Sequence, residues 1–316
     1  MTDYRFLYLL ALISTLAMAG TIYQVIATKR DQQKYPPPGR LVDVGGYRLH
    51  IHCLGPEGAS GGPTVVMDAG LGECSLGWAL VQPEIAKFAR VCTYDRAGLG
   101  WSDPAPTPRT SRQIVSDLHA LLTNAGVKPP YVLVGHSFGG LNARLYTGQF
   151  PEEVAGMVLV DSAHEDLPFL PPLLIRAGLL TAPLGIPRLF AQFFVSENPI
   201  FDRHSKYSSA YPAMATSTQY LNTVRREWSS ADESWSQARS SKSSLGDRPL
   251  VALFARFNHE NFSHFRNNQM ELAERSTRGK LIIVENSGHH IQHDRPDVVI
   301  DAVRDVVEAV QRKTLA

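Results

Sequence analysis

Short apolar runs that end at glycine or aspartate recur along the chain from residue 40 onward. Runs of this kind are typical of strands buried on both faces of a parallel sheet. The predicted strands cover residues 47–54, 64–67, 91–94, 131–134, 158–160, 250–254 and 281–284. Between them, apolar positions at helical spacing predict helices over residues 111–125, 141–150 and 298–310. This alternation predicts an α/β fold with a mostly parallel central sheet flanked by helices.

The alternation breaks in the second half of the chain. Residues 167–195 are rich in leucine, proline and phenylalanine, whereas residues 216–241 are polar with helical spacing. We predict a helical cap over residues 164–248, inserted into a core of residues 40–163 and 249–316. A second domain unrelated to any site is the alternative. The large apolar residues of this segment include Phe169, Leu170, Leu173, Leu174, Leu179, Leu180, Phe190, Phe193 and Phe194.

The N-terminal segment differs from the rest, because residues 6–27 carry no charge. A helix of that length spans roughly 30 Å of hydrocarbon. We predict that residues 1–30 form a single-pass membrane anchor, followed by a stiff, proline-containing linker over residues 31–39. Two alternatives stay open: a secretory signal peptide cleaved near residues 17–19, which would give a secreted protein, and a helix buried in the core.

Charge and cysteine content limit the possible functions. The 31 basic and 30 acidic residues give a formal net charge of +1, which provides no electrostatic footprint for nucleic acid. Lys29, Arg30 and Lys34 follow the apolar run, and the positive-inside rule would place the following domain in the cytoplasm.

The three cysteines are irregularly spaced, which predicts neither a disulfide framework nor a zinc site.

The sequence G-H-S-F-G over residues 135–139 contains a G-x-S-x-G motif between a predicted strand and a predicted helix. A serine on such a sharp turn is exposed for attack, and small flanking residues avoid clashes. The helix N-terminus directs free N–H groups and its positive dipole end toward developing negative charge. Ser137 is therefore the predicted nucleophile, with a glycine-rich structural turn as the alternative.

A serine hydroxyl needs a base to take its proton. His289 lies between the last predicted strand and the last predicted helix, so its loop should reach the same sheet edge as Ser137. We predict that His289 is the base. Its neighbours His290 and His293, together with Asp294, allow a metal site as an alternative, although no matching ligand set appears elsewhere.

The base in turn needs a carboxylate that fixes its tautomer and stabilises the imidazolium. We favour Asp161, which ends a predicted strand, because a strand end holds such geometry easily. Glu260 follows a later strand by several residues and stays open as an alternative. Asp95 also ends a strand, and we expect it to bind loop backbone. We expect His50 and His52, on an early strand, to face solvent.

An oxyanion that forms at the attacked carbonyl needs two N–H donors. We predict the N–H of Phe138, directly after the serine, and the N–H of Leu71, which lies in a glycine-rich stretch after an early strand. For the stretch around Leu71, the alternative role is simply a tight connection between a strand and a helix.

Taken in order, these motifs resemble those of the α/β-hydrolase fold superfamily. The stretches that carry the resemblance are D-A-G-L-G at 68–72, Y-D-R-A-G-L-G-W-S-D at 94–103, G-H-S-F-G-G at 135–140 and S-G-H at 287–289. The resemblance implies a Ser–acid–His triad in chain order and a cap inserted after the sixth strand. Ala69 stands where the family often has histidine. Asn258 stands at the usual acid position, which favours Asp161, since some lipases of this fold take their acid after the sixth strand.

The sequence thus predicts a membrane-anchored serine hydrolase of carboxylesterase or lipase type that needs no cofactor and no metal. Its expected partners are a small hydrophobic ester and, through the N-terminal helix, a membrane. The resemblance implies that a serine nucleophile departs from the haloalkane dehalogenase and epoxide hydrolase branches, which use aspartate. Alternatives on the same triad are an amidase, an acyltransferase or a carbon–carbon bond hydrolase. A non-catalytic receptor-like binding protein is the alternative from another class.

Overall fold

An eight-stranded sheet forms the centre of the structure, a computed structural model that describes residues 4–56, 62–166, 180–194, 209–241, 244–256 and 262–315. The strands are β1 (Arg40–Asp43), β2 (Arg48–Leu54), β3 (Thr64–Asp68), β4 (Val91–Tyr94), β5 (Tyr131–His136), β6 (Val154–Val160), β7 (Leu250–Ala255) and β8 (Gly279–Val284). Their spatial order is β1-β2-β4-β3-β5-β6-β7-β8. β2 is antiparallel to both its neighbours, and all other pairs are parallel. The predicted α/β fold with a mostly parallel sheet is confirmed.

All seven predicted strands are present, and the edge strand β1 is an addition. β1 has only two apolar residues, Leu41 and Val42, which lie between Arg40 and Asp43. A run this short gives no pattern that can be distinguished from a loop.

Helices surround the sheet and fill the connection between β6 and β7. They are α1 (Tyr4–Lys34), α2 (Gln82–Ile85), α3 (Ser111–Asn124), α4 (Phe138–Gln149), α5 (Ile186–Phe194), α6 (Ala210–Ala215), α7 (Thr218–Ser229), α8 (Ala231–Ser241), α9 (Phe262–Ala273), α10 (Ile291–Asp294) and α11 (Pro296–Leu315). We refer to α5–α8 as the inserted helices. The polar stretch 216–241 forms two helices that are interrupted at Ser230. Residues 167–179 of the predicted apolar segment and the side chains of Phe193 and Phe194 lie outside the described residues.

Both faces of the sheet are buried. On β5, Val132 and Val134 pack in a core with α2 and α11, whereas Leu133 packs in a second core with α3 and α4. Successive strand residues face opposite sides of a sheet, so a strand covered on both sides needs apolar residues throughout. The carboxyl ends of the parallel strands meet at one edge, and the loops there carry the predicted site residues.

Helix α1 continues through Lys34 and so includes the first four residues of the predicted linker. Its most apolar 18-residue window has a mean hydropathy of 1.8 and contains no buried residue. In the described part of the chain, α1 is the one helix long and apolar enough to cross a membrane. The alternative that this segment is a buried core helix is therefore wrong.

The cysteine pattern gives one wrong prediction. Cys53 of β2 and Cys92 of β4 form a disulfide, with Cα atoms 4.0 Å apart. They occupy facing positions in the antiparallel register of the two strands. Spacing along the chain does not show which strands pair, so the disulfide could not be inferred from it. Cys74 remains a buried free thiol.

Candidate active site

Ser137 lies on the sharp turn between β5 and α4, with φ 49° and ψ −116°. A non-glycine residue keeps a positive φ only where the surrounding structure enforces it. A Cβ atom at Gly135 would lie 2.5 Å from the backbone of Gly139, and one at Gly139 would lie 2.3 Å from Asp68 O. The motif needs these glycines because strand, turn and helix are in direct contact.

The turn is tied to the end of β6, where Asp161 follows. Ser137 N–H donates to Val160 O at 3.1 Å, and Ala163 N–H donates to Ser137 O at 3.0 Å. Asp161 itself has a positive φ of 42°, and its Oδ1 accepts a hydrogen bond from Ala255 N–H at 3.1 Å. These bonds fix the carboxylate beside the serine turn.

Asp161 and His289 are in contact at this edge of the sheet. Asp161 Oδ2 lies 2.6 Å from His289 Nδ1, and since a carboxylate only accepts, Nδ1 carries the proton. The neutral ring then has its lone pair on Nε2, as a general base requires. The alternative acid, Glu260, lies outside the described residues.

The pKa of His289 is raised above its ordinary value. Partial burial lowers this pKa, but the hydrogen bond to Asp161 and the negative charges of Asp161 and Glu73 raise it by more. The imidazole remains half exposed, whereas the Asp161 side chain is 15% exposed. The net effect makes His289 a stronger proton acceptor at Nε2.

His289 is held beside Ser137 through the residue that precedes the nucleophile. His136 Nε2 donates to His289 O at 3.0 Å, and the two ring centroids are 4.7 Å apart. Among the described residues, no hydrogen bond joins Ser137 Oγ to His289 Nε2. In enzymes without bound substrate, such a contact is often long and shortens when the substrate binds. The structure thus brings the three predicted residues to one edge, with Asp161 and His289 already paired.

The loop after β3 holds the predicted donor Leu71. Gly70 N–H donates to Glu73 Oε2 and Gly72 N–H donates to Glu227 Oε2, each at 2.9 Å. The Leu71 N–H between them has no partner in the part of the chain that the structure describes. Of these three N–H groups, Leu71 therefore offers the available donor.

The other predicted donor, Phe138 N–H, is the first of α4. The first N–H groups of a helix have no partner within the helix, and they carry its positive dipole end. The close contact of Gly139 with Asp68 and Ala69 brings this helix end next to the loop after β3. Both predicted donors therefore lie on adjoining backbone segments.

Arg96, which the sequence analysis did not single out, fixes that loop. Its Nη1 donates to Asp68 Oδ1 and to Ala69 O, each at 2.7 Å, and its Nη2 donates to Gly70 O at 2.6 Å. Its Nε donates at 2.7 Å to Glu227 of the inserted helix α7. The guanidinium is buried, so its five donors need such acceptors. The motif Y-D-R contains Arg96, but sequence alone does not show that it is buried.

Glu73 is a second residue that sequence reasoning missed. Its Oε2 lies 3.1 Å from His136 Nδ1, and its Oε1 lies 2.8 Å from His290 Nε2. Burial raises the pKa of Glu73, but His136 and His290 lower it to well below its ordinary range. An ionised carboxylate therefore lies under the site, where it accepts from Gly70 and His290 and lies beside His136 Nδ1.

The alternative metal site does not form in the described structure. His290 faces Glu73, His293 Nε2 donates to Gly77 O at 2.9 Å, and Asp294 Oδ2 accepts from Gly288 N–H at 2.7 Å. These three side chains are thus bound to different protein groups instead of converging.

Another set, His164, Asp166 and Glu271, is the one group among the described residues whose possible ligand atoms lie within 4.8 Å of one another. His164 Nδ1 accepts from Asp166 N–H at 3.2 Å, so a neutral ring keeps its proton on Nε2, 3.4 Å from Glu271 Oε2. A protonated ring nitrogen cannot bind a metal ion.

The expectation that His50 faces solvent is wrong, because its side chain is fully buried. His50 Nδ1 lies 2.8 Å from Asp95 Oδ2, and its Nε2 accepts from Gly39 N–H at 3.2 Å. The ring also packs against Trp101, with centroids 4.9 Å apart. The loop after β4 and the segment before β1 cover this face of β2. Asp95 also accepts from Trp101 N–H at 3.0 Å, so its predicted role in binding loop backbone is confirmed.

An apolar wall lies beside the nucleophile turn. Phe138 stacks on Trp235 of α8, with ring centroids 5.7 Å apart and planes at 10°. Leu71 and Ala163 pack against the same cluster. An inserted helix is thus in direct contact with the residue that follows Ser137.

Comparison with known proteins is consistent with this architecture. A family model described as "Alpha/beta hydrolase family" matches residues 52–302. The chain is 30% identical over 251 residues to the uncharacterized protein YqjL of Bacillus subtilis (strain 168). The matched region covers 78% of this chain and 84% of that relative. It is also 38% identical over 129 residues to the probable transporter efuK of Hormonema carpetanum. That matched region covers 40% of this chain but only 18% of the transporter.

Solved structures share the fold. The enol-lactonase from Burkholderia xenovorans LB400 matches with a TM-score of 0.66 and 18% identity, over 85% of this chain and 100% of that chain. The epoxide hydrolase CorEH matches with a TM-score of 0.64 and 19% identity, over 86% of this chain and 98% of that chain. At such identities the likeness concerns the fold alone.

Proposed function

The chain belongs to the alpha/beta hydrolase family, and we propose that within this family it is a membrane-anchored serine hydrolase that cleaves a carboxylic ester. One observation carries the proposal. Ser137 occupies the constrained turn at the carboxyl end of β5, and the His289–Asp161 pair lies at the same edge of the sheet. A serine beside a base that is oriented by a carboxylate is the arrangement that acyl transfer requires.

In the proposed acylation step, Ser137 Oγ attacks the ester carbonyl carbon while His289 Nε2 takes the hydroxyl proton. Asp161 holds Nδ1–H and stabilises the imidazolium that forms. The carbonyl oxygen becomes an oxyanion that accepts hydrogen bonds from the N–H groups of Leu71 and Phe138. The tetrahedral intermediate collapses when the C–O bond breaks, and His289 gives its proton to the departing alcohol.

In the proposed deacylation step, water replaces the alcohol. His289 takes a proton from the water, which attacks the acyl-enzyme carbonyl. The second tetrahedral intermediate uses the same two N–H donors. Its collapse releases a carboxylic acid and returns the proton to Ser137.

The serine also separates this proposal from epoxide hydrolysis, the activity named for one structural neighbour. Attack of Ser137 on an epoxide carbon would form an ether. Unlike an ester, an ether is not hydrolysed by water with a histidine base. Attack on an acyl carbonyl forms an ester, which the same base can hydrolyse. An amidase, an acyltransferase or a carbon–carbon bond hydrolase would use the same residues, and a p-nitroanilide in the substrate panel distinguishes an amidase from an esterase.

A hydrophobic ester fits the surroundings of the nucleophile. The partly exposed side chains of Leu71 and Ala163 pack on the buried, stacked rings of Phe138 and Trp235 and make one side of the turn apolar. Transfer of an acyl chain from water to such a surface is favourable by about 25 cal/mol per Å². We propose an acyl ester with a hydrophobic acyl or alcohol part.

Membrane attachment is proposed from α1. Its apolar side chains are exposed over the part that could cross a bilayer. Its polar residues do not disturb this role, because Thr15 Oγ1 donates to Ala11 O at 2.8 Å and Thr21 Oγ1 donates to Ala17 O at 2.9 Å. Within the helix, these hydroxyls are satisfied without water.

A substrate panel on the full chain in detergent tests the proposal. The panel holds p-nitrophenyl esters of increasing acyl length, a matched p-nitroanilide and an aryl epoxide. We expect ester turnover that falls by about 10⁴-fold or more in Ser137→Ala. The matched control Ser229→Ala removes an exposed serine of α7 and should leave turnover unchanged. Absence of ester turnover, or turnover of any substrate that Ser137→Ala does not reduce, would overturn the proposal.

A further inference from the structure

The last turns of α1 are attached to the inserted helices by buried polar contacts. Gln24 is 2% exposed, and its Nε2 donates to Thr216 O at 2.8 Å. Arg188 of α5 donates from Nε to Gln24 Oε1 at 3.0 Å, and it forms an ion pair with Asp31. Because the Arg188 side chain is only 10% exposed, these bonds are shielded from water. They fix α5 alongside α1 at the level of residues 24–31.

Another face of α5 is apolar and exposed. Ile186 and Leu189 are three residues apart and so share a face of the helix, with exposures of 36% and 52%. Leu180, which precedes the 3-10 turn Ala182–Leu184, is 81% exposed. We call Leu180, Ile186 and Leu189 the apolar patch. A single exposed leucine is common, but a patch beside an apolar helix marks an interaction surface.

The apolar patch adjoins the exposed surface of α1. A Cβ atom at Gly20 would lie 2.5 Å from Leu184 O, so the turn between the patch residues packs directly on α1. At this level α1 exposes its own large apolar side chains, Ile22, Val25 and Ile26. The helix and the patch therefore lie side by side along one stretch of α1.

The position along α1 indicates what covers the patch. The first charged residue after the apolar run is Lys29, which marks the polar side of a bilayer. At 1.5 Å per residue, Gln24 and Gly20 lie roughly 8 and 14 Å along the axis from Lys29, toward the hydrocarbon. An interfacial helix buries its apolar face about 5–10 Å into the boundary between headgroups and acyl chains. Arg188, which is bonded to Gln24, thus lies at that depth, and Leu184, which packs on Gly20, lies slightly deeper, so the patch beside them enters the acyl chains.

We propose that the apolar patch is a membrane-docking surface, which enters the same leaflet that α1 crosses and rests on the proposed anchor role of α1. The occupant is lipid: acyl chains contact Leu180, Ile186 and Leu189, while Arg188 stays in its polar contacts with α1. The inserted helices, which reach the site through Glu227 and Trp235, are then held against the membrane surface. Two attachments, a spanning helix and an interfacial patch, fix the orientation of the domain.

Site-directed fluorescence on the full chain in phosphatidylcholine vesicles tests this proposal. Single Leu189→Cys and Ile186→Cys variants are labelled with bimane without reductant, so that the Cys53–Cys92 disulfide and the buried Cys74 do not react. Leu12→Cys in α1 reports the anchor itself. Glu308→Cys is the aqueous control, since α11 pairs Lys313 with Asp247 just before β7, at the opposite edge of the sheet from the site. The unsubstituted chain measures background labelling.

Quenching by nitroxide-bearing acyl chains and by aqueous iodide gives distinct outcomes. We expect bimane at positions 189 and 186 to be quenched by nitroxide lipid, as at position 12, and to be several-fold less sensitive to iodide than at position 308. Iodide sensitivity equal to that of position 308 would overturn the docking surface. Shielding from both quenchers would show that protein covers the patch and would also overturn it. Lack of nitroxide quenching at position 12 would overturn the anchor, and the docking surface with it, while leaving the esterase proposal untouched.

Discussion

Asp161 Oδ2 lies 2.6 Å from His289 Nδ1, although 128 residues separate the two in the chain. The contact forms because β6 and β8 both end at the same edge of the sheet, where β7 lies between them. It orients the imidazole so that, in the proposed mechanism, Nε2 is left to accept the hydroxyl proton of Ser137. The proposed chemistry depends on this pair, and the first two predictions concern it.

Replacement of the acid should slow the chemistry without preventing folding. Asp161→Asn keeps the size of the side chain but can present an amide N–H to His289, which favours the wrong tautomer. We expect kcat on a short-chain ester to fall by about 10³–10⁴-fold, with little change in KM. Glu260→Gln, the matched change at the alternative acid, should retain activity. Full activity in Asp161→Asn together with loss in Glu260→Gln would move the acid to Glu260.

The pH dependence of kcat/KM should report the raised pKa of His289. Only the neutral imidazole accepts the serine proton, so activity falls as pH decreases through this pKa, which lies above the ordinary value of about 6.5. In Asp161→Asn the two effects of Asp161 that raise the pKa are lost and burial still lowers it. The acid limb of the residual activity should therefore move to lower pH.

Titration of kcat/KM between about pH 5 and 9 measures this shift. Asp232→Asn, which neutralises an exposed carboxylate in the first turn of α8, should leave the limb unchanged. An identical acid limb in the unsubstituted chain and in Asp161→Asn would show that Asp161 does not act on the base.

Glu73 should matter for stability as well as for turnover. Glu73→Gln places an amide where Gly70 N–H, His136 and His290 now meet carboxylate oxygens, so at least one buried donor loses its acceptor. Such a loss lowers the free energy of unfolding by about 1–3 kcal/mol, which should lower Tm by several degrees. Glu84→Gln breaks only the exposed pair with Lys87 and should change Tm little. Equal Tm values for both variants, measured by thermal unfolding, would contradict a stabilising role for Glu73.

Arg96 should affect the transition state more than substrate binding. Arg96→Lys retains the charge but cannot contact Asp68, Ala69, Gly70 and Glu227 together, so the loop that carries Leu71 is less well fixed. Because an oxyanion donor is worth about 10²–10³ in kcat, a displaced Leu71 N–H should lower kcat by about 10–100-fold with a smaller change in KM. A matched Arg295→Lys, in an exposed pair with Asp297, should be neutral. A change in KM alone would indicate that Arg96 acts on substrate binding.

The sheet could be predicted because its physical cause is local. Each central strand is covered on both faces and therefore is a continuous apolar run, as in β5, where Val132, Leu133 and Val134 alternate between two cores. The turn at Ser137 was predictable for a similar reason, since Gly135 and Gly139 mark positions where a Cβ atom would meet backbone. Strand β1 and the end of α1 depend on neighbouring elements and were missed or misplaced.

Contacts between distant segments could not be predicted from the sequence. The Cys53–Cys92 disulfide and the burial of His50 against Asp95 follow from the placement of β4 beside β2, which no spacing reveals. The roles of Arg96 and Glu73 likewise depend on which carbonyl and imidazole groups the fold brings to them. Buried charged residues resemble surface residues when only the sequence is read.

Covalent labelling with a serine-directed fluorophosphonate tests whether Ser137 is the nucleophile. We expect the full chain to gain the mass of one phosphonyl group at Ser137. Ser137→Ala should gain none, while Ser229→Ala should be labelled like the unsubstituted chain. Peptide mapping by mass spectrometry locates the adduct. An unlabelled full chain, or undiminished labelling of Ser137→Ala, would contradict the assignment of Ser137 as the nucleophile.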